Sequence, residues 1–450
     1  MSLGEGVIGK RLEEVAKGLG KILASKKVVE GFAVDSRKIV PGSLFFALKG
    51  ERVDGHDFLE EARDKGAICA VVDRDYKGVV EGLDLIFVDH VLSSLQGLAR
   101  LKMLEQKTRC IGITGSVGKT TTKEFMATLL EGSFRIEKTP GNENSQVGVP
   151  LSILHTQGEP EIFIAEMGMS QKGEIASLVS MIPPEIALVT QVSLAHALYF
   201  PKGLEEVAEA KGEILSHFST KKVFLHTQVS PFSAFARREN PSMTFYGKEA
   251  EGVDAGVIFT GNGYKIRTQE GITREFILPF TAKHLVDNFL GAALVARELG
   301  ISWEDIFSRA ERLKAYKMRF EKVEKEGVTY INDSYNANPA SMKAALENIP
   351  KPEAGGRIIA ALGHMGELGI FSTEAHKEIG TIASLYADLL FCIGDDTSYM
   401  RESFERSGKK ALQFSCFQEF KDALKKEIRQ KDVVLIKASN SLKLWRVLDE

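Results

Sequence analysis

Residues 109–130 combine three patterns that together restrict this chain to an α/β fold. The apolar run RCIGI at 109–113 predicts a short buried strand, and TGSVG at 114–118 predicts a tight turn of small residues. KTTTKEFMATLL at 119–130 predicts a helix with its apolar side chains on one face. A strand, a glycine-containing loop and a helix in this order form a phosphate-binding loop, in which main-chain N–H groups and the helix N-terminus hold phosphate oxygens.

This loop departs from the full pattern G-x-x-x-x-G-K-[ST] at one position, because Ile113 stands where the first glycine is expected. Ile113 ends the predicted strand, outside the turn, so a side chain is tolerated there. We predict that Lys119 contacts the phosphates and that Thr120 reaches Mg²⁺. A chance Gly-Lys-Thr at the start of a helix is the alternative. The predicted nucleotide-binding residues of the loop are Gly115, Ser116, Val117, Gly118, Lys119, Thr120 and Thr121.

Strand-like apolar runs alternate with helical patterns along most of the chain, which predicts α/β domains with mostly parallel sheets. The length of 450 residues allows about two to four domains. Residues 240–280 differ, since short β-type runs punctuated by Gly and Asn predict an antiparallel insert. With boundaries near 88 and 315, we predict an N-terminal domain (1–88), a central domain (89–315) and a C-terminal domain (316–450).

Composition restricts the partners and the compartment. Lys and Arg total 58 against 61 for Asp and Glu, so the net charge of −3 indicates neither a nucleic-acid nor a membrane partner. The four cysteines are far apart and form no C-x-x-C pair, so disulfides are not predicted. Neither a secretory leader nor an apolar run of about eighteen residues is recognisable, so we expect a cytoplasmic protein.

Two further positions are candidates for a metal site. Glu166 ends the strand-like run IFIAE, and His196 follows the next strand-like run along the chain. Open α/β sheets build their sites at the carboxyl ends of the strands, and a carboxylate is a suitable Mg²⁺ ligand. Each residue alone is more simply a solvated loop residue. Together, next to a phosphate loop, they are better interpreted as one cation site.

Lys211 interrupts an apolar stripe. In the helical segment 203–218, helical spacing puts Lys211 midway between Leu204 and Phe218 on the stripe. Such a lysine either extends its amine to solvent or has a function, and periodicity alone favours the first interpretation. If Lys211 is buried, desolvation lowers its pKa and makes a neutral amine available. A neutral amine can capture CO₂ as a carbamate, which is an anionic oxygen ligand for a metal.

Several independent segments carry a family resemblance. The chain resembles the Mur ligase superfamily of peptidoglycan synthesis from residue 31 to about 440. Within it, DSYNANPASM and DSRKIVPGSLFFALKGERVDGHDF resemble the branch that adds D-Ala-D-Ala to UDP-N-acetylmuramoyl-tripeptide. The segments, in chain order, are TGSVGKTTTKE, TPGNENSQVGVPLSIL, AEMGMS, AHALYFPKGLEEVAEAKGEI and NDSYNANPASMKAAL.

The resemblance implies a three-domain ligase. An N-terminal domain binds the UDP end of the substrate, a central domain binds ATP, and a C-terminal Rossmann-like domain closes over the site. ATP would activate a carboxylate as an acyl phosphate, with two Mg²⁺ ions in the site. The partners would be the small molecules UDP-N-acetylmuramoyl-tripeptide and D-Ala-D-Ala, and we expect a monomer. Because closure brings the third domain in, we expect an open unliganded structure, with Asp333 far from the phosphate loop.

The resemblance also assigns roles to residues. Thr120 and Glu166 would bind one Mg²⁺, while His196 and a carbamylated Lys211 would bind a second. The implied catalytic residues are Lys119, Glu166, His196 and Lys211. The implied nucleotide contacts beyond the loop are Asn288 at the adenine and, on closure, Arg319 and Asp333. The implied substrate contacts are Ser36 and Arg37 at the UDP end, and Asn142, Asn144, Ser145, Asn336 and Asn338 on the peptide side.

Three departures concern the peptide side. Ser145 stands where the family pattern has an asparagine, His364 occupies an acidic position, and Asn440 replaces a common arginine. The third residue of the peptide, diaminopimelate or lysine, stays open. So do three alternatives: another amide ligase of the superfamily, such as the preceding amino-acid-adding enzyme or folylpolyglutamate synthetase; a P-loop phosphotransferase; and a nucleotide-gated binding protein. ATP turnover that requires both a carboxylate and an amine substrate would separate the ligase from the last two.

Overall fold

Three β-sheets follow one another along the chain in the computed structural model, which describes residues 8–50, 53–195, 197–394 and 396–449. Most strands run parallel and are buried on both faces, because helices cover each side of a parallel sheet. The α/β class and the mostly parallel sheets predicted from the sequence are therefore confirmed. The boundaries near residues 88 and 315 stay predictions.

The N-terminal sheet is small and entirely parallel. Its elements are α1 (Leu12–Gly18), β1 (Gly31–Ala33), β2 (Ser43–Phe46), α2 (Leu59–Asp64), β3 (Cys69–Asp73) and β4 (Asp84–Val88). The strands pair in the order β1-β2-β3-β4. All residues of β1 and β2 are buried. One face of this sheet shares a hydrophobic core with the helix that follows it, so the first and second sheets are packed together.

The central sheet has nine strands in the order β13-β12-β11-β10-β9-β8-β5-β7-β6. Its helices are α3 (Val91–Gln106), α4 (Lys119–Leu130), α5 (Gly148–His155), α6 (Glu174–Met181), α7 (Leu204–Gly212), α8 (Lys283–Glu298) and α9 (Trp303–Ala310). Its strands are β5 (Arg109–Thr114), β6 (Ile136–Lys138), β7 (Ile162–Glu166), β8 (Ile186–Val189), β9 (Lys222–His226), β10 (Ser242–Lys248), β11 (Ala255–Phe259), β12 (Tyr264–Thr268) and β13 (Gly271–Ile272).

The prediction of an antiparallel insert at 240–280 is only partly right. Strands β10 and β11 continue the central sheet in parallel, with Ser242 opposite Lys222 in β9. Only the pairs β11–β12 and β12–β13 are antiparallel. The connection from β9 to β10 crosses over through two short 3₁₀ turns, whereas β11 and β12 are joined by a tight turn at 260–263. Tight turns reverse a strand and crossovers do not, which explains the difference.

The C-terminal sheet has six strands in the order β14-β15-β19-β16-β17-β18, with only β14–β15 antiparallel. Its elements are β14 (Glu321–Lys325), β15 (Val328–Asn332), α10 (Pro339–Glu347), β16 (Ile358–Gly363), α11 (Ser372–Tyr386), β17 (Leu389–Ile393), α12 (Thr397–Glu405), β18 (Lys410–Phe414), α13 (Phe417–Glu427) and β19 (Val433–Lys437). Helices on both faces bury two core clusters, one on each side of the sheet. Across the described residues, no helix is both long and apolar enough to span a bilayer.

A buried carboxylate, Asp432, joins two neighbouring strands of the C-terminal sheet. It lies just before β19 and accepts hydrogen bonds from the main-chain N–H of Arg357 at 2.9 Å and from its Nη2 at 2.8 Å. The main-chain N–H of Arg429 donates a third bond at 3.0 Å. Burial alone would raise the pKa of Asp432, but the bonds from Arg357 outweigh it and lower the pKa below the ordinary value.

We expect Asp432→Asn to lower the free energy of unfolding by about 2 kcal/mol at pH 7, since it removes charge-assisted bonds. The carboxylate stabilises the wild-type protein fully above the ordinary aspartate pKa. That stabilisation is lost as the pH falls through the lowered pKa. The difference in urea-unfolding midpoint between the two proteins should therefore narrow from pH 7 to pH 3.

Asp388→Asn provides the matched control. The exposed Asp388 carboxylate also accepts a hydrogen bond from a main-chain N–H at the start of a strand, that of Ile358 in β16, at 2.8 Å. An amide oxygen can keep that bond, so the control should shift the free energy by no more than about 0.5 kcal/mol. An Asp432→Asn difference that stays constant between pH 7 and pH 3 would contradict the charge-based explanation.

Candidate active site

The loop between β5 and α4 can be formed only with glycine at two positions. Gly115 has φ +146°, and a Cβ there would lie 1.8 Å from Thr190 Oγ1. Gly118 has φ +88°, and a Cβ there would lie 2.4 Å from Asn288 Oδ1. Ile113 lies inside β5 and is fully buried, so the glycine missing from the motif falls within the strand and not within the turn. The strand, turn and helix predicted at 109–130 are confirmed.

Lys119 is the first residue of α4 and bends back over the loop. Its Nζ donates to the main-chain carbonyl of Gly115 at 2.8 Å. Burial lowers the pKa of this amine from its ordinary value, although the carboxylate of Glu166 acts in the opposite direction. The free N–H groups at the start of α4 and the Lys119 amine thus face the same space, which suits an anion such as a phosphate.

Glu166, the last residue of β7, is buried against three donors. Thr120 Oγ1 donates to Glu166 Oε2 at 2.9 Å, and Asn144 Nδ2 donates to Oε1 at 2.8 Å. The Nζ of Lys123 lies 3.2 Å from Oε2, inside a pair in which neither side chain is measurably exposed to solvent. The parallel pairing of β5 with β7 brings the phosphate loop and Glu166 to the same edge of the sheet.

Positive charge keeps the buried Glu166 carboxylate ionised. Burial alone would raise its pKa, but Lys123, Lys119 and Arg319 together lower the pKa below the ordinary value. An ionised carboxylate beside a threonine hydroxyl is a set of hard oxygen donors, which fits Mg²⁺. Thr120 and Glu166 are therefore suited to hold the first of the two predicted ions.

Sequence reasoning missed Lys123. Its Nζ also donates to the carbonyl of Gly141 at 2.6 Å, so Lys123 joins the segment that carries Asn142 and Asn144 to Glu166. The available signal was its spacing: Lys123 follows Lys119 by one helical turn and therefore lies on the same face of α4.

Lys211, on α7, is 2% exposed. Burial lowers its pKa well below the ordinary value, and the nearby charge of Lys119 adds to the effect. Among the described residues, none forms a hydrogen bond or ion pair with the amine. The interpretation that Lys211 extends to solvent is therefore wrong. As an ammonium it does not fit a metal site, and only a carbamate would supply the oxygen ligand.

The second predicted metal site is only partly covered by the structure, because His196 lies outside the described residues. Within the described part of the chain, no three His, Cys, Asp or Glu side chains cluster in a way that could hold a metal ion. Lys211 is also absent from the lining of the cavity of about 400 Å³ that lies between the phosphate loop and the C-terminal sheet. The second Mg²⁺ and the carbamate stay predictions.

The third domain meets the phosphate loop directly. Arg319 Nη2 donates to Thr120 Oγ1 at 2.9 Å, and the guanidinium lies 4.0 Å from the ring centroid of Tyr335. Asp333 and Lys119 line one cavity in this structure, and the open form of the unliganded enzyme stays a prediction. The Arg319–Thr120 bond joins the third domain to the first turn of α4.

This cavity has a volume of about 400 Å³ and lies between the phosphate loop and the C-terminal sheet. It unites most of the predicted site. The predicted residues that line it are Ser116, Val117, Gly118, Lys119, Thr120, Thr121, Asn142, Asn144, Glu166, Asn288, Arg319, Asp333, Asn336 and Asn338. The lining residues that were not predicted include His284, Tyr335 and Lys437.

Lys437, at the end of β19, is the most informative of these. Its buried Nζ donates to Asp333 Oδ2 at 2.6 Å and to the carbonyl of Asn336 at 2.9 Å. It therefore holds the segment 333–336 at the cavity. Asn440 lines the cavity too, and its Nδ2 donates to the Tyr335 carbonyl at 2.9 Å. In sequence, Lys437 is indistinguishable from a lysine that simply ends a buried strand.

Two residues predicted to contact the peptide also accept hydrogen bonds from main-chain N–H groups at the starts of helices. Asn338 Oδ1 accepts the main-chain N–H of Ser341 at 2.9 Å and caps α10, although Asn338 still lines the cavity. Ser145 Oγ accepts the N–H of Gly148 at 3.1 Å at the start of α5 and does not line the cavity. His364 also lies outside the lining. The Ser145 hydroxyl thus bonds to the first main-chain N–H of α5, and its contact with the substrate stays a prediction.

A second cavity, of about 900 Å³, opens between the N-terminal sheet and the start of α3. Ser36 and Arg37 line it, and their contact with the UDP end of a substrate stays a prediction. The Arg37 guanidinium is already engaged, because its Nε and Nη2 donate to the two oxygens of Asp35 at 2.9 and 2.7 Å. Arg37 lowers the pKa of Asp35 to about 2, so the pair is ionised and its net charge is zero.

Models of one protein family match most of the chain. They are the Mur ligase family, catalytic domain, at residues 28–94, the Mur ligase middle domain at 113–296, and the Mur ligase, glutamate ligase domain at 318–440. Their order along the chain is the order of the three sheets. The three-domain architecture implied by the resemblance is therefore confirmed.

Individual relatives agree with these models. The UDP-N-acetylmuramoyl-tripeptide–D-alanyl-D-alanine ligase of Bacillus subtilis (strain 168) is 34% identical, covering 98% of this chain and 97% of the relative. A crystal structure of MurF ligase from Thermotoga maritima in complex with ADP has a TM-score of 0.80 and 29% identity, covering 93% of this chain and 96% of that one. A MurF structure from Acinetobacter baumannii has a TM-score of 0.85 and 25% identity, covering 98% of both chains.

The buried pair of Lys123 and Glu166 predicts strong energetic coupling. We expect Lys123→Met to lower the free energy of unfolding by about 3–5 kcal/mol, because it leaves a buried carboxylate without its counter-charge. In the double variant Lys123→Met, Glu166→Gln no charge remains unpaired, so most of that stability should return. A double-mutant cycle from chemical denaturation measures the coupling.

Lys138→Met is the matched control, since Lys138 pairs with Glu124 at a partly exposed site. It should cost no more than about 1 kcal/mol. Additive effects of Lys123→Met and Glu166→Gln would refute the assignment of a coupled pair.

Proposed function

Since the chain belongs to the Mur ligase family and is an ATP-dependent ligase that adds D-alanyl-D-alanine to UDP-N-acetylmuramoyl-tripeptide, we propose that ligation takes place in the 400 Å³ cavity. One observation carries the proposal. The phosphate loop with Glu166 lines one side of this cavity, and Asp333, Asn336 and Asn338 of the third domain line the other. A phosphoryl donor and an amine acceptor can therefore meet over one carboxylate.

The first step activates a carboxylate, which is a poor acyl donor at neutral pH. A carboxylate oxygen of the tripeptide attacks the γ-phosphorus of ATP, the bond to the β-phosphate bridging oxygen breaks, and ADP leaves. The product is an acyl phosphate. The proposed task of the loop N–H groups and Lys119 is to hold the phosphates in line and to neutralise their charge.

Mg²⁺ bound at Thr120 and Glu166 would supply further neutralisation of the phosphate charge. The residues of this site already have partners within the protein: the Glu166 carboxylate forms an ion pair with Lys123, and the Thr120 hydroxyl accepts a hydrogen bond from Arg319. Binding of the nucleotide would thus replace the Arg319–Thr120 bond with contacts from Arg319 to the nucleotide. Arg319 and Asp333 are proposed to reach the nucleotide from the third domain, and Asn288 to contact the adenine.

The second step forms the amide. The amine of D-Ala-D-Ala attacks the acyl carbon, a tetrahedral intermediate collapses, phosphate leaves with the bonding electron pair, and the amine loses a proton. Asn336 and Asn338 are proposed to face this dipeptide. Neutral amides suit an amine that must attack uncharged, since a nearby carboxylate would favour the ammonium form. Asn142 and Asn144 are proposed to contact the tripeptide.

The UDP end of the substrate is proposed to bind in the 900 Å³ cavity. The ion pair of Arg37 with Asp35 changes the proposed role of Arg37, because a neutralised guanidinium attracts a diphosphate less strongly. Ser36 and the main-chain groups around it are then the main polar contacts. We propose that the reaction is a cytoplasmic step of cell-wall synthesis, which is consistent with its use of ATP and of a nucleotide-sugar substrate. We also propose that the enzyme is a monomer.

The branch of the family is supported by full-length similarity, since the Bacillus subtilis relative covers 98% of this chain. A coupled assay of ADP release, with each substrate omitted in turn, tests the reaction. We expect release only when UDP-N-acetylmuramoyl-tripeptide, D-Ala-D-Ala and ATP are all present. Lys119→Ala should reduce the rate about a thousandfold, because it removes a charge next to the transferred phosphoryl group.

Thr128→Ala on the same helix serves as the control, since Thr128 bonds only to the Glu124 carbonyl and lies outside the cavity. Near-normal turnover by folded Lys119→Ala protein would refute the role of the loop. If a free amino acid were ligated to the dipeptide precursor, and D-Ala-D-Ala were not ligated to the tripeptide, the enzyme would act one step earlier.

We further propose that Lys211 is carbamylated. Its buried amine has a pKa well below the ordinary value, and no described group neutralises its charge, so the neutral form that captures CO₂ is favoured. Lys211→Ala should lose most activity and recover part of it with added short-chain carboxylates. Incubation with ¹³C-bicarbonate should give a carbamate resonance in the wild-type protein and none in Lys211→Ala.

Lys202→Ala, which changes an exposed lysine just before the same helix, is the control and should keep both the resonance and the activity. A wild-type protein without a carbamate signal in CO₂-saturated buffer, together with full activity of Lys211→Ala, would disprove the proposal.

A further inference from the structure

Three hydrogen-bond acceptors, one in the main chain and two in side chains, determine the shape of the turn that follows β16. The N–H of His364 donates to the Ile393 carbonyl at 3.1 Å. The next N–H, of Met365, donates to His376 Nε2 at 3.0 Å. The N–H of Gly366 then donates to Ser439 Oγ at 2.6 Å. Three successive main-chain donors are thus directed to three separate elements of the C-terminal domain.

This turn reaches the 400 Å³ cavity, where Gly366 and Glu367 form part of the lining. Glu367 has φ +60°, a left-handed conformation that is unfavourable for a residue with a side chain. Its carbonyl accepts the N–H of Leu198 at 2.9 Å, which is a bond from the C-terminal domain to the central one. An unfavourable backbone conformation persists only where its surroundings enforce it, and such residues concentrate at functional sites.

His376 enforces the turn from the protein interior. It lies on α11, is fully buried, and its Nδ1 is 2.8 Å from the Ser372 carbonyl. A carbonyl can only accept, so Nδ1 carries the proton and Nε2 is a bare acceptor. That acceptor faces the Met365 N–H. The ring therefore has one tautomer, and it bridges the helix to the turn.

We propose that His376 is a positioning residue for the acceptor side of the reaction, an inference that rests on the proposed function. Through the bond to Met365, it holds Gly366 and Glu367 where they shape the part of the cavity opposite the phosphate loop. The same turn keeps the Glu367 carbonyl within hydrogen-bonding distance of the Leu198 N–H. His376 itself touches neither substrate, since it does not line the cavity.

A purely structural role makes a different prediction. If His376 only filled space, leucine would serve as well, since burying an apolar side chain costs less than burying an imidazole. A positioning role requires the acceptor atom. Glutamine retains an acceptor at the distance of Nε2 from the backbone, whereas leucine keeps the volume and leaves the Met365 N–H without a partner.

The test compares His376→Gln and His376→Leu in the full-length enzyme. We expect His376→Leu to raise KM for D-Ala-D-Ala about tenfold while KM for ATP changes less than about twofold, because one hydrogen bond to the turn is lost and the phosphate loop is untouched. His376→Gln should recover most of the dipeptide KM. Amide hydrogen exchange at 364–367 should be faster in His376→Leu than in the wild-type protein and near normal in His376→Gln.

Phe404→Leu is the matched control, because Phe404 is fully buried in the same domain, on α12 against α11, and forms no part of the turn. It should lower Tm comparably and leave KM for the dipeptide unchanged. Equal dipeptide KM values for His376→Leu and the wild-type enzyme, or a rise that glutamine does not reverse, would overturn the positioning role. A wild-type enzyme that does not use D-Ala-D-Ala at all would overturn the proposed function instead.

Discussion

A single buried carboxylate, that of Glu166, connects most parts of the candidate site. Three donors surround it, from the start of α4, from the next turn of the same helix and from the segment that carries Asn144. A buried charge is tolerated only when it is matched, so these partners are held as firmly as the carboxylate itself. Because Thr120 also accepts from Arg319, the constraint extends to the third domain. The loop, the sheet edge and the domain contact therefore depend on one another.

The division of labour among the domains follows from this arrangement. The central domain supplies the glycine turn, where only glycine fits beside Thr190 and Asn288, and the buried amines of Lys119 and Lys123 near Glu166. The third domain supplies neutral amides and the buried Lys437, which holds the segment 333–336 at the cavity. Both domains contribute charge to the cavity, since Lys119 and Glu166 of the central domain line it together with Arg319 and the Asp333–Lys437 pair of the third domain.

Particular residues show how far sequence reasoning extends. The segment 109–130 has a local pattern whose geometry is fixed by short-range sterics, so its strand, turn and helix could be predicted. Glu166 could be predicted because it ends a strand. Lys211 was harder: periodicity placed it on the buried stripe, but only the packed structure shows that no described group neutralises it. Ser145 was assigned to the substrate from a motif, and only the structure shows that its hydroxyl accepts the first N–H of α5.

The chain by itself determined the α/β class, the phosphate loop and the family, because these depend on patterns within about twenty residues or on motifs in a fixed order. The tertiary structure alone decided which residues share a cavity. In sequence, Lys123, Lys437 and His376 resemble ordinary helix or strand residues. Each acquires its role from a hydrogen-bond or ion-pair partner that lies between 11 and 104 residues away along the chain. The parallel pairing β9–β10 was decided in the same way, since strand direction depends on the path of the connection and not on the composition of the strand. The physical reason is that local sterics and hydrophobic periodicity depend on residues close together in sequence. Charge compensation and hydrogen-bond pairing depend instead on which distant groups folding brings together.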